Sequence, residues 1–138
     1  MSLCVLDCSL ALCWCFDDEA TEQTYALMDR VYEHEAWVPD LWHLEVVNAL
    51  LQAKKRGRVT SDQIKEKLIA LSRMPIRVDD ETGRHAFHLT RELAEAEGLT
   101  AYDASYLELA MRRKLPLATK DGALINACEK RGVDCIPL

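Results

Sequence analysis

Five short apolar runs punctuate this chain, and between them lie segments whose apolar residues recur at helical spacing. The runs are Leu3-Cys4-Val5-Leu6, Trp37-Val38-Pro39, Ile76-Arg77-Val78, Leu115-Pro116-Leu117-Ala118 and Val133 to Ile136. Runs of three or four residues are too short for buried helices, so each reads as a buried strand. Strands that alternate with helices in one chain call for a mainly parallel sheet covered on both faces. The predicted fold class is α/β, with about five strands in the central sheet.

The helical segments have readable ends. Ser9 caps a predicted helix through Phe16, and another runs from about Ala20 to Glu33. Asp40 caps a third from Leu41 to Arg56, which Gly57 stops, with Lys54, Lys55 and Arg56 suiting the negative end of its dipole. Ser61 or Thr60 opens a fourth through Ser72, which Pro75 closes, and a long helix from about Glu81 ends at Gly98. Thr100 opens the next through Arg113, and the last runs from Gly122 to Lys130. With 138 residues and no linker, low-complexity tract or repeat, the expectation is one domain over 1–138.

Charge and cysteines narrow the classes. Seventeen Lys and Arg against 23 Asp and Glu leave a net charge of −6, which speaks against a surface built wholly for nucleic acid. Any polyanion ligand then needs a local basic patch or a bound cation. No apolar run approaches the roughly 18 residues of a membrane span, and Asp7 interrupts an N-terminal stretch that has no basic flank. A cytoplasmic protein is expected. The six cysteines include no C-x-x-C pair, and Cys4, Cys8, Cys13 and Cys15 stand among leucines and aromatics. They read as reduced core thiols rather than as a zinc site or a disulfide framework.

In an open parallel sheet the ligand site lies beyond the carboxyl ends of the strands. Asp7 follows the first predicted strand and Asp121 the fourth, though Asp is also a favoured N-cap and a helix follows both. Glu45 lies in a helix apolar on nearly every side, where a carboxylate is costly unless it is paired or holds a metal. Glu45, Asn48 and Gln52 form a narrow polar seam there, for which a satisfied core network or a seam at a helix packing boundary is the weaker alternative. Asp103 closes a capping box with Thr100, yet it also aligns with the inward stripe of Leu107 and Ala110. Four carboxylates meeting at one end of the sheet raise one another's pKa until a cation joins them. With no matching His or Cys set, that cation is a hard one, Mg²⁺ or Mn²⁺. Such a pocket can activate water and stabilise an in-line displacement at phosphorus, so phosphodiester hydrolysis is the expected reaction class.

Four segments, in order, resemble the PIN-domain ribonucleases, and within them the VapC-type toxins of bacterial and archaeal toxin–antitoxin pairs. They are Val5-Leu6-Asp7-Cys8-Ser9, Leu44-Glu45-Val46-Val47-Asn48-Ala49-Leu50, Leu99 to Ala110 around Tyr102-Asp103-Ala104, and Leu117-Ala118-Thr119-Lys120-Asp121. The resemblance implies a three-layer α/β/α sandwich. It implies that Asp7, Glu45, Asp103 and Asp121 are the catalytic, metal-binding acids, supported by Ser9, Asn48 and Thr119. It further implies a Mg²⁺- or Mn²⁺-dependent endoribonuclease leaving 5′-phosphate and 3′-hydroxyl ends, homodimeric and restrained by a VapB-type antitoxin. Lys54, Lys55, Arg56 and Arg58, and Arg112 to Lys114, are candidate contacts to RNA phosphates, with helix-dipole and solubility roles as the plain alternative.

Rival readings are set against this one. A haloacid-dehalogenase-type phosphatase wants a second acid where Ser9 stands, and a receiver domain wants an acidic pair where Leu6 and Cys8 border Asp7. Asp79 and Asp80 also follow a predicted strand, and read more simply as an N-cap and its neighbour. His85 and His88 lack any acid partner at metal-site spacing and read as a solvated face. The alternative of a different class is a non-catalytic PIN-like binding module whose role is complex formation. Metal-dependent turnover separates the two.

Overall fold

The computed structural model describes all residues, Met1–Leu138. Four strands, β1 (Cys4–Leu6), β2 (Ala36–Val38), β3 (Ile76–Val78) and β4 (Leu117–Ala118), form one sheet in the order β3-β2-β1-β4. Every pairing is parallel: Val5 lies opposite Trp37 on one side and Leu117 on the other, and Trp37 lies opposite Arg77. The crossovers from β1 to β2 and from β2 to β3 step in one direction, and the crossover to β4 returns across the sheet. Right-handed connections therefore put the first two sets of helices on one face and the third set on the other.

The helices agree. On the first face, α1 (Cys8–Cys15) packs against α2 (Glu22–His34) and α3 (Trp42–Lys55), and α4 (Ser61–Ser72) completes the layer. On the second, α7 (Ala101–Arg113) crosses β1 and β4, flanked by α6 (Arg91–Glu97) and α8 (Gly122–Arg131), with the single turn α5 (Thr82–His85) also on α7. The middle layer is dry. Cys4, Val5 and Leu6 have no exposed surface and belong to a core cluster of 31 buried residues, which is why β1 carries no polar side chain. None of the helices is long and apolar enough to cross a membrane.

Five of the six cysteines are buried and all are unpaired by disulfides, as their apolar neighbours imply. Burial pushes the Cys4, Cys8 and Cys128 thiols up to about 12, so they pack as small hydrophobes.

The structure departs from the sequence-based expectation at four places. The expected fifth strand is only a parallel bridge from Cys135 to Leu117, because the chain touches the sheet edge there without continuing the ladder. The expected long helix from Glu81 to Gly98 breaks at a π-turn over Ala86–Thr90, where His88 leaves helical geometry at φ −110° and ψ −108°. Asp40 does not cap α3: Leu41 holds that position, and the Asp40 amide donates instead to Thr82 Oγ1 at 3.0 Å. Nor does Ser9 cap α1, which begins one residue earlier at Cys8 after Asp7.

Candidate functional site

Strand order reverses at β1 and β4, so the crevice outside their carboxyl ends is where an open parallel sheet presents a ligand. Asp7 leaves β1 with its amide donating to the Ala118 carbonyl of β4 at 3.0 Å. Its buried carboxylate makes no helix-capping bond. Asp7 Oδ2 instead accepts the hydroxyls of Ser9 at 2.8 Å and Thr119 at 2.7 Å. Thr119 Oγ1 in turn accepts the Asp121 amide at 3.0 Å, and Ser9 Oγ accepts the Lys120 amide at 3.1 Å. Two hydroxyls thus stitch the loop after β1 to the loop after β4, and this stitching replaces the capping role expected of Ser9.

Asp121 is both cap and rim. Its Oδ2 accepts the Leu124 amide at 3.1 Å, which closes the first turn of α8. Asp103 sits in the first turn of α7, where Thr100 Oγ1 accepts the Asp103 amide at 3.0 Å. The reciprocal half of the expected capping box is not made, so the Asp103 carboxylate is not consumed by the helix end. Glu45 comes from α3 on the opposite face, half-buried, and its Oε1 accepts the phenol of the fully buried Tyr106.

The electrostatics show that these four acids share one space. Burial raises the Asp7 carboxyl above its ordinary range against the pull of Thr119 and Ser9, and Asp121 raises it further. Glu45 is raised by burial and then by Asp7 and Asp103, with Tyr106 opposing, and Asp103 is raised by burial and then by Asp7 and Asp121, with the Thr100 hydroxyl opposing. Repulsion among these acids with no basic side chain among the causes describes a negative cluster that a cation would relieve. Every donor is a hard oxygen, and Asp103 offers a carboxylate without a capping bond, so the set fits Mg²⁺ or Mn²⁺ rather than a soft metal.

The remaining candidates fall elsewhere. Asn48 and Gln52 are exposed and join none of these hydrogen bonds; α3 is not buried all round, with Leu44 at 75% and Leu51 at 46% exposure. Lys54, Lys55 and Arg56 are exposed at the far end of α3. Arg58 is engaged: it pairs with Asp18 at 3.1 Å and Glu19 at 3.3 Å and lies 4.3 Å over the Phe16 ring. Arg112 is not a free cation either. Its guanidinium grips buried Asp79 at 2.7 and 3.0 Å and buried Glu108 at 2.7 Å, and Arg113 lies 3.4 Å over the Trp37 ring. Asp79, Asp80 and Glu81 stand close enough together to hold a cation, yet Arg112 already neutralises Asp79, so this cluster reads as structural. Asp79 is accordingly no simple loop cap. His85 is half-buried rather than solvated, and His88 is exposed at the π-turn.

Tyr106 is a site residue that the sequence patterns do not single out. The signal is its place three residues after Asp103, on the same side of a helix whose next residues are all buried.

Comparison with known proteins yields two kinds of match. A family model described as the PIN domain matches residues 4–130. Among solved structures, PAE2754 from Pyrobaculum aerophilum superposes with a TM-score of 0.65 at 24% identity, over 97% of this chain and 89% of that one. FitAcB from Neisseria gonorrhoeae superposes with a TM-score of 0.64 at 16% identity, over 96% of each chain. No curated protein matches.

Proposed function

We propose that this chain, which belongs to the PIN domain family, is a Mg²⁺- or Mn²⁺-dependent endoribonuclease and the toxin of a type II toxin–antitoxin pair. PIN domains are generally nucleases, and one observation supports the reading for this chain: at the switch point Asp121 raises the proton affinity of buried Asp7, and Asp7 in turn raises that of Glu45 and Asp103. A structural role alone does not explain an uncompensated acidic cluster, because each added carboxylate there costs stability.

A divalent cation held there would offset this charge, lower the pKa of water and polarise a phosphoryl oxygen. The chain's own residues do the rest. Asp7 is the buried acid of the site and Glu45, Asp103 and Asp121 are half-buried around it, and Ser9 and Thr119 fix the Asp7 carboxylate through Oδ2. The acidic wall repels the polyanionic backbone of RNA until the cation is in place, which makes metal occupancy the gate for substrate. Lys54, Lys55 and Arg56 are the candidates for phosphates further along the strand.

Several features support the partner readings. Exposed Leu44, Leu51 and Phe87 and an apolar cavity of about 300 Å³ between α3, α4 and β3 suit a homodimer contact or an antitoxin segment. Six free thiols suit a reducing cytoplasm.

The test is cleavage of a tRNA and rRNA panel by antitoxin-free protein with Mg²⁺, Mn²⁺ or EDTA, beside Asp103→Asn. Cleavage that needs metal and is lost in the folded variant is the expected result. An inert wild type with a variant altered only in stability would favour the binding module instead.

A further inference from the structure

Tyr106 has no surface exposure, so its hydroxyl must find a partner inside the protein or be left buried and unpaired. The partner is Glu45 Oε1, reached across the cleft from α7 to α3, and Tyr106 is the sole hydrogen-bond donor to that carboxylate. A phenol keeps its proton throughout the physiological pH range, so Tyr106 acts as the donor and the Glu45 carboxylate as the acceptor. No other side chain donates to Glu45, so the Tyr106 phenol is the one hydrogen bond that orients its carboxylate.

Resting on the ribonuclease reading above, we infer that Tyr106 is a positioning residue that restricts Glu45 to one ligating oxygen and so favours Mg²⁺ and Mn²⁺ over Ca²⁺. The chemistry is that of denticity. Ca²⁺ takes six to eight oxygens in flexible geometry, often with a carboxylate bound through both of its oxygens, whereas Mg²⁺ demands a near-octahedral set at about 2.0–2.1 Å. A carboxylate with one oxygen committed to a phenol presents the other alone, which suits the smaller ion. Ser9 and Thr119 both donate to Oδ2 of Asp7, so that buried acid too has one oxygen committed and the other left for a cation.

The experiment is calorimetric titration of the full chain, without RNA, with Mn²⁺, Mg²⁺ and Ca²⁺, comparing wild type with Tyr106→Phe. Phenylalanine keeps the buried ring and removes only the donor. Mn²⁺ and Mg²⁺ affinity should fall about tenfold or more, the usual scale for removing an outer partner of a metal ligand, while Ca²⁺ affinity holds or rises. The Mn²⁺-to-Ca²⁺ preference is read within one preparation, so a fraction of unfolded protein does not imitate the effect. Ser9→Ala provides a second arm, expected to narrow the preference in the same direction. If wild type binds Mn²⁺ and Tyr106→Phe keeps the same preference, the positioning role is overturned and the ribonuclease reading stands. If wild type binds none of the three ions, both fall together.

Discussion

Asp79, Glu108 and Arg112 show how differently two sets of acids behave in one small protein. Burial alone would raise Asp79, but the Arg112 guanidinium beside it holds its carboxyl below the ordinary range. That ion pair contributes stability that is complete above about pH 4, the unfolded carboxylate range, and is lost as pH falls through the lower folded value. The acid limb of unfolding should therefore be steeper in wild type than in Asp79→Asn, read as melting temperature against pH. Removing the cation is harsher. Arg112→Met would strand two carboxylates that are 0% and 2% exposed, at a cost of about 3–5 kcal/mol, seen as a large drop in urea midpoint. At Asp7, Glu45 and Asp103 the sign is reversed, since all three are raised in the folded state and stability declines as pH rises through their folded values. Asp103→Asn should thus raise the melting temperature of metal-free protein at pH 7 by a few degrees. The same variant should show little of the upward shift that Mg²⁺ gives wild type.

At the scale of elements, α7 joins cap to chemistry. Thr100 holds its first turn, and Asp103 rides on that turn, so Thr100→Ala should cost about 1 kcal/mol in denaturant unfolding. Fraying there should also weaken Mn²⁺ binding, whereas Thr60→Ala, which removes the corresponding cap of α4, should cost similar stability and leave Mn²⁺ binding unchanged. Such caps are legible in the sequence because a hydroxyl three residues before an amide is a local signal. The starts of α1 and α3 are less so: Asp7 and Asp40 look alike as Asp before an apolar segment, and what separates them from caps is the company supplied by Thr119 and Thr82 from far along the chain. The π-turn at Ala86–Thr90 leaves no trace either, since no Pro or Gly lies within it, and the segment packs on α7, a neighbour that no local window reveals. Tyr106 belongs to the same class, an ordinary buried aromatic until Glu45 arrives from another helix.

For the whole molecule, the sheet is readable in type and nearly in number, because strand and helix alternation is a property of the entire chain rather than of any window. Two of the acids are readable as neighbours for a related reason: a parallel sheet sends the chain after each strand to one end, so Asp7 and Asp121 come together once β1 and β4 pair, whereas Glu45 and Asp103 lie on helices and join the set only through the family resemblance. What composition hides is the distribution of charge. A net charge of −6 says little about RNA when several of the cations are spent internally, Arg112 on Asp79 and Glu108, Arg58 on Asp18 and Glu19. The exposed, unpaired cations nearest the end of α3 are Lys54, Lys55 and Arg56, and they define the final expectation. Replacing all three with Gln should raise KM for RNA several-fold and lessen its dependence on salt by about 0.7 in log–log slope for each phosphate no longer neutralised, while kcat and the Mn²⁺ shift stay unchanged. Arg58→Gln should do the opposite, lowering the melting temperature slightly with the salt slope intact, because its charge already belongs to the loop at Asp18 and Glu19. If the salt slope follows Arg58 instead, the RNA path runs past α1 and α4 rather than along the end of α3.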